Sequence, residues 1–301
     1  MKQLAPIALF CFKRLDTLER CVESLKNCPE SILTELIIFS DEARNQDDRE
    51  KVDENRAYLN TIEGFKSIRI IHRKENLGVD YNIINGIREM ASEYEKFIVV
   101  EDDLVVSNQF IRFMNAGLSH FESFDKVLTI TGFNFVKIPN SYKWDCFFAG
   151  ITNPWGWATW SHKIKEVDWD LAQKENFLTN VKEQRAFNAW GSDRTRMLRR
   201  TLLGEIRAWD IRLDYFLFKN DFVTVYSCKN LVINNGFNNA DATNTTGFNR
   251  YKVNLDISVQ TDFLFPHLIE INSTIKRKIV SKNSIYNRII TTIFKKLNIK
   301  N

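Results

Sequence analysis

The sequence predicts an α/β protein built on a mainly parallel sheet flanked by helices. Three observations carry that expectation. Over about the first hundred residues, short apolar runs of strand length alternate with longer segments of helical period. The apolar runs stop abruptly at polar residues, as strands buried on both faces do where they leave a sheet. One of them, Lys96-Phe97-Ile98-Val99-Val100, runs straight into Glu101-Asp102-Asp103, and the carboxyl ends of such strands are where α/β sheets bind ligands.

The elements follow in order. Ile7–Phe12 reads as a buried strand, and Asp16–Asn27 as a helix with Leu18, Val22 and Leu25 on one face. Glu35–Phe39 is a second strand ending at Ser40-Asp41, Arg49–Thr61 a charged helix, and Ser67–His72 a third strand. Asn76-Leu77-Gly78 makes a turn, Tyr81–Tyr94 a helix and Phe97–Val100 a fourth strand. Beyond residue 104 a helix over Asn108–His120 precedes a strand at Val127–Thr131, a Trp-rich region without regular pattern, and one helix over Lys182–Leu203. A short helix near Asp210–Asn220, a strand at Phe222–Tyr226 and a loop over Asn234–Asn249 complete the body. From Ile275 to Leu297, apolar residues at helical spacing alternate with basic ones, which predicts a single basic amphipathic helix.

The chain of 301 residues is 44% hydrophobic and 27% charged, an ordinary globular balance. Residues 272–301 carry Lys276, Arg277, Lys278, Lys282, Arg288, Lys295, Lys296 and Lys300 and no acid, leaving a mildly acidic body. That distribution argues against nucleic acid as the partner of the whole protein, and for contact between the tail and an anionic membrane surface. Five cysteines with no C-x-x-C pair fit a reduced compartment. No apolar run is long enough to span a bilayer, and Leu4–Phe12 lacks a cleavage site and is followed by Lys13-Arg14. The expectation is a cytoplasmic protein, peripheral on the inner face of the plasma membrane through its tail. The four histidines are scattered without ligand spacing.

Adjacent carboxylates repel and lose hydration on folding, so an acidic triplet at a strand's exit implies a cation beside it. Hard oxygen ligands suit Mg2+ or Mn2+, which take few carboxylates and leave other positions to substrate phosphates. A nucleotide diphosphate is the natural partner of such a site.

The strand with Glu101-Asp102-Asp103-Leu104 and the following Ser107-Asn108-Gln109-Phe110 resemble a segment of the Golgi N-acetylglucosaminyltransferase that begins complex N-glycans. More broadly, the chain is similar to bacterial family 2-like glycosyltransferases of the GT-A fold. Further matches occur in the same order: strands closing on Lys13-Arg14 and on Ser40-Asp41, Glu75-Asn76-Leu77-Gly78, Trp155-Gly156-Trp157-Ala158-Thr159-Trp160, and Trp209-Asp210-Ile211-Arg212. Together they cover roughly residues 4–250. Asn235-Gly236-Phe237 followed by Asp241-Ala242-Thr243-Asn244-Thr245 resembles a bacterial Asn-x-Gly-Phe and Asp-Ala-Thr-His-Thr loop, with one extra residue and with Asn244 where the relatives carry His.

The resemblance implies roles. Asp103 would coordinate the divalent cation bridging the donor's phosphates. Glu101 and Asp102 would accept hydrogen bonds from sugar or ribose hydroxyls, Asp41 would accept from the nucleobase, and Arg14 would lie near base or phosphates. Asp210 would be the base that takes the acceptor's proton, with Asp214, one turn on, as the alternate. Trp157 would line the donor or acceptor pocket, and Gly156 would let backbone approach a ligand. Residues 1–271 would form the catalytic domain, with 1–115 binding the nucleotide sugar and 116–271 the acceptor; 272–301 would be the basic tail.

The function implied is inverting transfer of a sugar from a nucleotide-diphosphate donor, UDP-linked with UDP-GlcNAc the first candidate, to a saccharide or lipid-linked acceptor in bacterial lipopolysaccharide or capsule synthesis. Two rivals belong to other classes. A metal-dependent nucleotidyltransferase normally has a Gly-rich loop after its first strand, whereas residues 10–20 contain no Gly. A catalytically silent glycan- or membrane-binding module would bind vesicles without turnover.

Overall fold

The computed structural model describes residues 3–172, 174–236 and 251–296. In chain order the elements are β1 (Ile7–Cys11), α1 (Leu15–Lys26), β2 (Glu35–Ser40), α2 (Gln46–Leu59), β3 (Ser67–His72), α3 (Gly78–Glu93), β4 (Lys96–Glu101), β5 (Leu104–Val106), α4 (Phe110–His120), β6 (Val127–Thr131), β7 (Cys146–Ala149) and β8 (Trp157–Trp160). Then come α5 (Ser161–Ile164), α6 (Lys174–Thr179), α7 (Val181–Phe187), α8 (Arg194–Leu202), α9 (Trp209–Lys219), β9 (Val223–Ser227), β10 (Val232–Asn234), α10 (Ser273–Lys282) and α11 (Ile285–Lys296).

The main sheet has eight strands in the order β3-β2-β1-β4-β8-β6-β9-β7. β1 pairs in parallel with β2 and β4, β2 with β3, and β6 with β9, while β8 runs antiparallel between β4 and β6. The expected mixed, mainly parallel α/β architecture is therefore present, and so is a helical C-terminus.

The period of two along each strand explains the layering. Ile7, Leu9 and Cys11 of β1 and Ile98 and Val100 of β4 face the core beneath α1 and α4, with Leu18, Val22, Leu25, Phe110 and Met114. Their neighbours Ala8, Phe10, Phe97 and Val99 face the opposite core, beneath α3 and α9, with Ile83, Ile87, Met90, Trp209 and Leu213. Parallel neighbours need crossovers, and α1, α2 and α3 supply them. All these strands therefore leave the sheet at one rim, and the polar residues that end them gather there.

Three sequence expectations change. The Trp-rich region is not irregular: it holds β7 and β8, short strands whose pairing partners lie far away in sequence. The single helix over Lys182–Leu203 is two helices, α7 and α8, separated by a 3-10 turn at Asn188–Trp190 and by Gly191, whose backbone is extended. The single tail helix is also two, broken at Asn283 and Ser284. The Asn283 side chain is buried, donating to the Trp190 carbonyl at 3.3 Å and accepting from the Tyr251 hydroxyl at 2.7 Å. Tertiary hydrogen bonds thus outweigh the helical periodicity at that point.

Candidate functional site

At the rim where β1, β2 and β4 end lies a cleft of about 670 Å³, a size that suits a nucleotide. It is lined by Phe12, Lys13 and Arg14 after β1, Asp41 and Arg44 after β2, Gly78 and Val79 at the start of α3, Glu101 and Asp102 at the end of β4, and Glu205 to Arg207 from the α8–α9 loop. The cleft sits at the carboxyl ends of the parallel strands, as the acidic triplet predicts.

Asp41 is 3% exposed, and both its carboxylate oxygens are occupied. They accept from the backbone N–H groups of Glu42, Leu77 and Gly78, each at 2.9 Å, and from Asn76 Nδ2 at 3.2 Å. These bonds fasten the end of β2 to the Asn76–Gly78 turn and give Asp41 a structural task at the wall of the cleft. Gly78 adopts φ +72, and a Cβ there would collide with the Arg207 guanidinium.

The carboxylates after β4 share one cation. Arg14 donates through Nη2 to Asp102 Oδ1 and through Nη1 to Asp103 Oδ2 at 3.1 Å. Phe12 N–H donates to Asp102 Oδ2 at 3.4 Å, so Asp102 is held from two sides. Burial and the neighbouring Asp103 outweigh Arg14 and push the Asp102 carboxyl up to about 6. Glu101 is pushed well above the usual carboxylate range by burial, then by Asp103 and Asp102, and Asp210 adds to the effect. One guanidinium is too little positive charge for this cluster.

Among the described residues no group of three His, Cys, Asp or Glu side chains forms a metal cage. The chemistry of the cluster fits a hard divalent ion that takes one or two carboxylates and completes its shell from a ligand. Asp103 meets a second segment as well: Asn235 N–H donates to its carbonyl at 2.7 Å, and a Cβ on Gly236 would lie 2.6 Å from its Oδ2. The antiparallel pair β5–β10 creates this approach by aligning Asn234 with Leu104. Phe237, Asp241, Asn244 and the rest of that motif lie outside the described residues.

The two acids of α9 have separate environments. Asp214 is buried, accepts from Arg194 Nε at 2.6 Å through Oδ2, and accepts from Thr152 N–H at 2.9 Å through Oδ1. It is consumed by a buried ion pair, which replaces its expected role as alternate base. Asp210 is half-buried, with its carboxyl pushed up to about 6 by burial and then by Asp214.

Trp157, expected on a pocket wall, is 1% exposed and stacks on Trp209 with ring centroids 5.8 Å apart. Its strand is central in the sheet, so its side chain belongs to the core. Gly156 has φ +60 and is packed against Val232 and Phe110 rather than opening toward the cleft.

Arg207 is the residue the sequence reading missed. Of the cations lining the cleft, Lys13 and Arg44 are paired with Asp48 and Arg14 with the acidic cluster. Among the described residues Arg207 has no hydrogen-bond or salt-bridge partner, and its field reaches Asp80. Its position two residues before Trp209-Asp210 was the available signal.

Residues 7–120 match the family model described as Glycosyl transferase family 2. This is the stretch that builds β1 to α4 and most of the cleft. No curated protein matches the chain. Among solved structures, the mannosyltransferase PcManGT from Pyrobaculum calidifontis in complex with GDP-Man and Mn2+ is similar at 11% identity and TM-score 0.39, over 55% of this chain and 46% of that one. TarS of S. aureus is similar at 12% identity and TM-score 0.38, over 55% of this chain and 30% of that one. The chain thus spans less than half the length of either.

Proposed function

We propose that this chain is an inverting glycosyltransferase whose cleft holds a nucleoside-diphosphate sugar together with Mn2+ or Mg2+. The shortage of positive charge at the end of β4 carries the proposal, and the family match over residues 7–120 supports it. A divalent cation there would supply Lewis-acid stabilisation of the departing diphosphate. Asp103 would hold it. Arg14 positions the carboxylates, and Glu101 lines the cleft as an acceptor for donor hydroxyls. Arg207, without a hydrogen-bond or salt-bridge partner among the described residues, would take a phosphate oxygen, for which a guanidinium fork is suited. Asp210 would accept the acceptor's hydroxyl proton as the bond to the anomeric carbon forms. A carboxyl near 6 is ionised at neutral pH while remaining a stronger base than an ordinary one.

UDP-GlcNAc as donor, a saccharide or lipid-linked acceptor, a role in bacterial surface glycans and the division into donor and acceptor halves belong to the same proposal. A thermal-shift screen of UDP-, GDP-, dTDP- and CMP-sugars with and without Mn2+ tests it. A nucleoside-diphosphate sugar should stabilise the protein only with the ion, and Asp103→Ala should abolish that stabilisation. No response to any donor would overturn it.

A further inference from the structure

We propose that the C-terminal helix pair is a docking surface for an anionic membrane, a property independent of the transfer reaction. The first helix is rigidly mounted. Ile275 and Ile279 of α10 are buried with Phe147, Ala149 and Tyr226, and Lys276 Nζ lies 4.8 Å from the Trp190 ring centroid. Asn283 fastens the end of α10 to the Trp190 carbonyl, so the helix cannot swing as a free tail.

Outside this mount runs a groove of about 420 Å³ between α10 and residues 135–137. Lys137, Arg277, Lys278 and Lys282 line it over an apolar floor of Phe135 and Val136. Among the described residues no carboxylate lines the groove, and none of these four cations is in a salt bridge. The groove ends at Asn287 in the first turn of α11. In that same turn Ile285 and Tyr286 are 64% and 69% exposed, and Ile289 and Ile293 continue the row at 53% and 47%. Spacing of i, i+4 and i+8 places the isoleucines on one side of the helix.

Cations without counter-charges along α10 and an exposed apolar row on the helix that follows it call for a partner that is anionic and greasy at once. Phosphate headgroups satisfy the first need and the interfacial region of a lipid leaflet the second. No helix among the described residues is long and apolar enough to cross a membrane, so this attachment would lie in the interface.

Co-sedimentation of the full chain with vesicles tests the proposal. Binding is expected to phosphatidylcholine–phosphatidylglycerol vesicles, to fall with added salt, and to be weak to phosphatidylcholine alone. Lys137→Gln, Arg277→Gln and Lys282→Gln together should weaken it on the order of a hundredfold, at about fivefold per cation. The matching Lys137→Arg and Lys282→Arg variant should bind as the parent does, separating charge from folding. Ile289→Ser with Ile293→Ser should weaken binding while leaving the salt dependence in place. Equal binding to both vesicle types, full binding by the Gln variant, or preference for an RNA duplex over vesicles through the same side chains would overturn the proposal.

Discussion

The acids after β4 and the acids of α9 are balanced in opposite ways. Glu101, Asp102 and Asp103 divide a single arginine among them, and two of the three are pushed up in pKa. On α9, Asp214 has an arginine to itself plus a backbone donor, and among the described residues Asp210 has no cation partner. A carboxylate whose needs are met inside the protein has a structural task. One left short of positive charge is the better candidate for handling a ligand's charge or proton.

The largest effect expected from this contrast is at Asp210. Asp210→Asn should lower kcat by about two to four orders of magnitude, the usual contribution of a positioned base, with nucleotide binding little changed. Turnover retained by that variant would end the distinction between the acids of α9. Next is the ion pair. Asp214→Ala leaves Arg194 buried without its partner and should cost about 3–5 kcal/mol in denaturant unfolding. A loss of activity in Asp214→Ala without loss of stability would instead give Asp214 a chemical role.

The same contrast shows what was legible in the sequence. The parallel half of the sheet could be read because each strand there is a contiguous apolar run, and the acidic triplet because its residues are adjacent. The partner that spends an acid's capacity comes from far away. Arg194 lies twenty residues before Asp214, and Leu77 lies 36 residues after Asp41. Nothing in the local pattern distinguishes a satisfied Asp41 from one facing a ligand. Trp157 misled for a related reason: a cluster of indoles around a glycine suggests a sugar platform until β8 is known to be a central strand. The second half also hid its strands, since β7 and β8 have only four residues each and gain their identity from neighbours.

Arg207 extends the contrast from acids to bases. Lys13, Arg14 and Arg44 are committed to carboxylates, whereas among the described residues Arg207 is the cleft cation with no such partner and therefore the one proposed to take a phosphate. Arg207→Gln should weaken nucleoside-diphosphate binding in calorimetry roughly ten- to a hundredfold, the value of a charged hydrogen bond. The matching nucleoside should bind equally to both forms. An equal loss for the nucleoside would place Arg207 at the base or ribose instead.

The smallest effect is a shift along the pH axis. The Asp210 carboxyl moves from an ordinary 3.8 to about 6, through burial first and Asp214 second. A raised value means the folded chain holds this proton more tightly than the unfolded one. The contribution to stability therefore declines as pH rises from 3.8 to about 6 and is flat above. Turnover has the opposite sign, because the base works only when ionised, so the rate should climb through about 6. Asp214→Asn removes the like charge four residues away and should move that ascending limb to lower pH. The stability difference between the parent and Asp210→Asn should change over the same window, which isolates this group from the other raised carboxyls. A limb that Asp214→Asn leaves in place would mean that Asp210 does not feel the charge of its neighbour, and burial alone would then set its basicity.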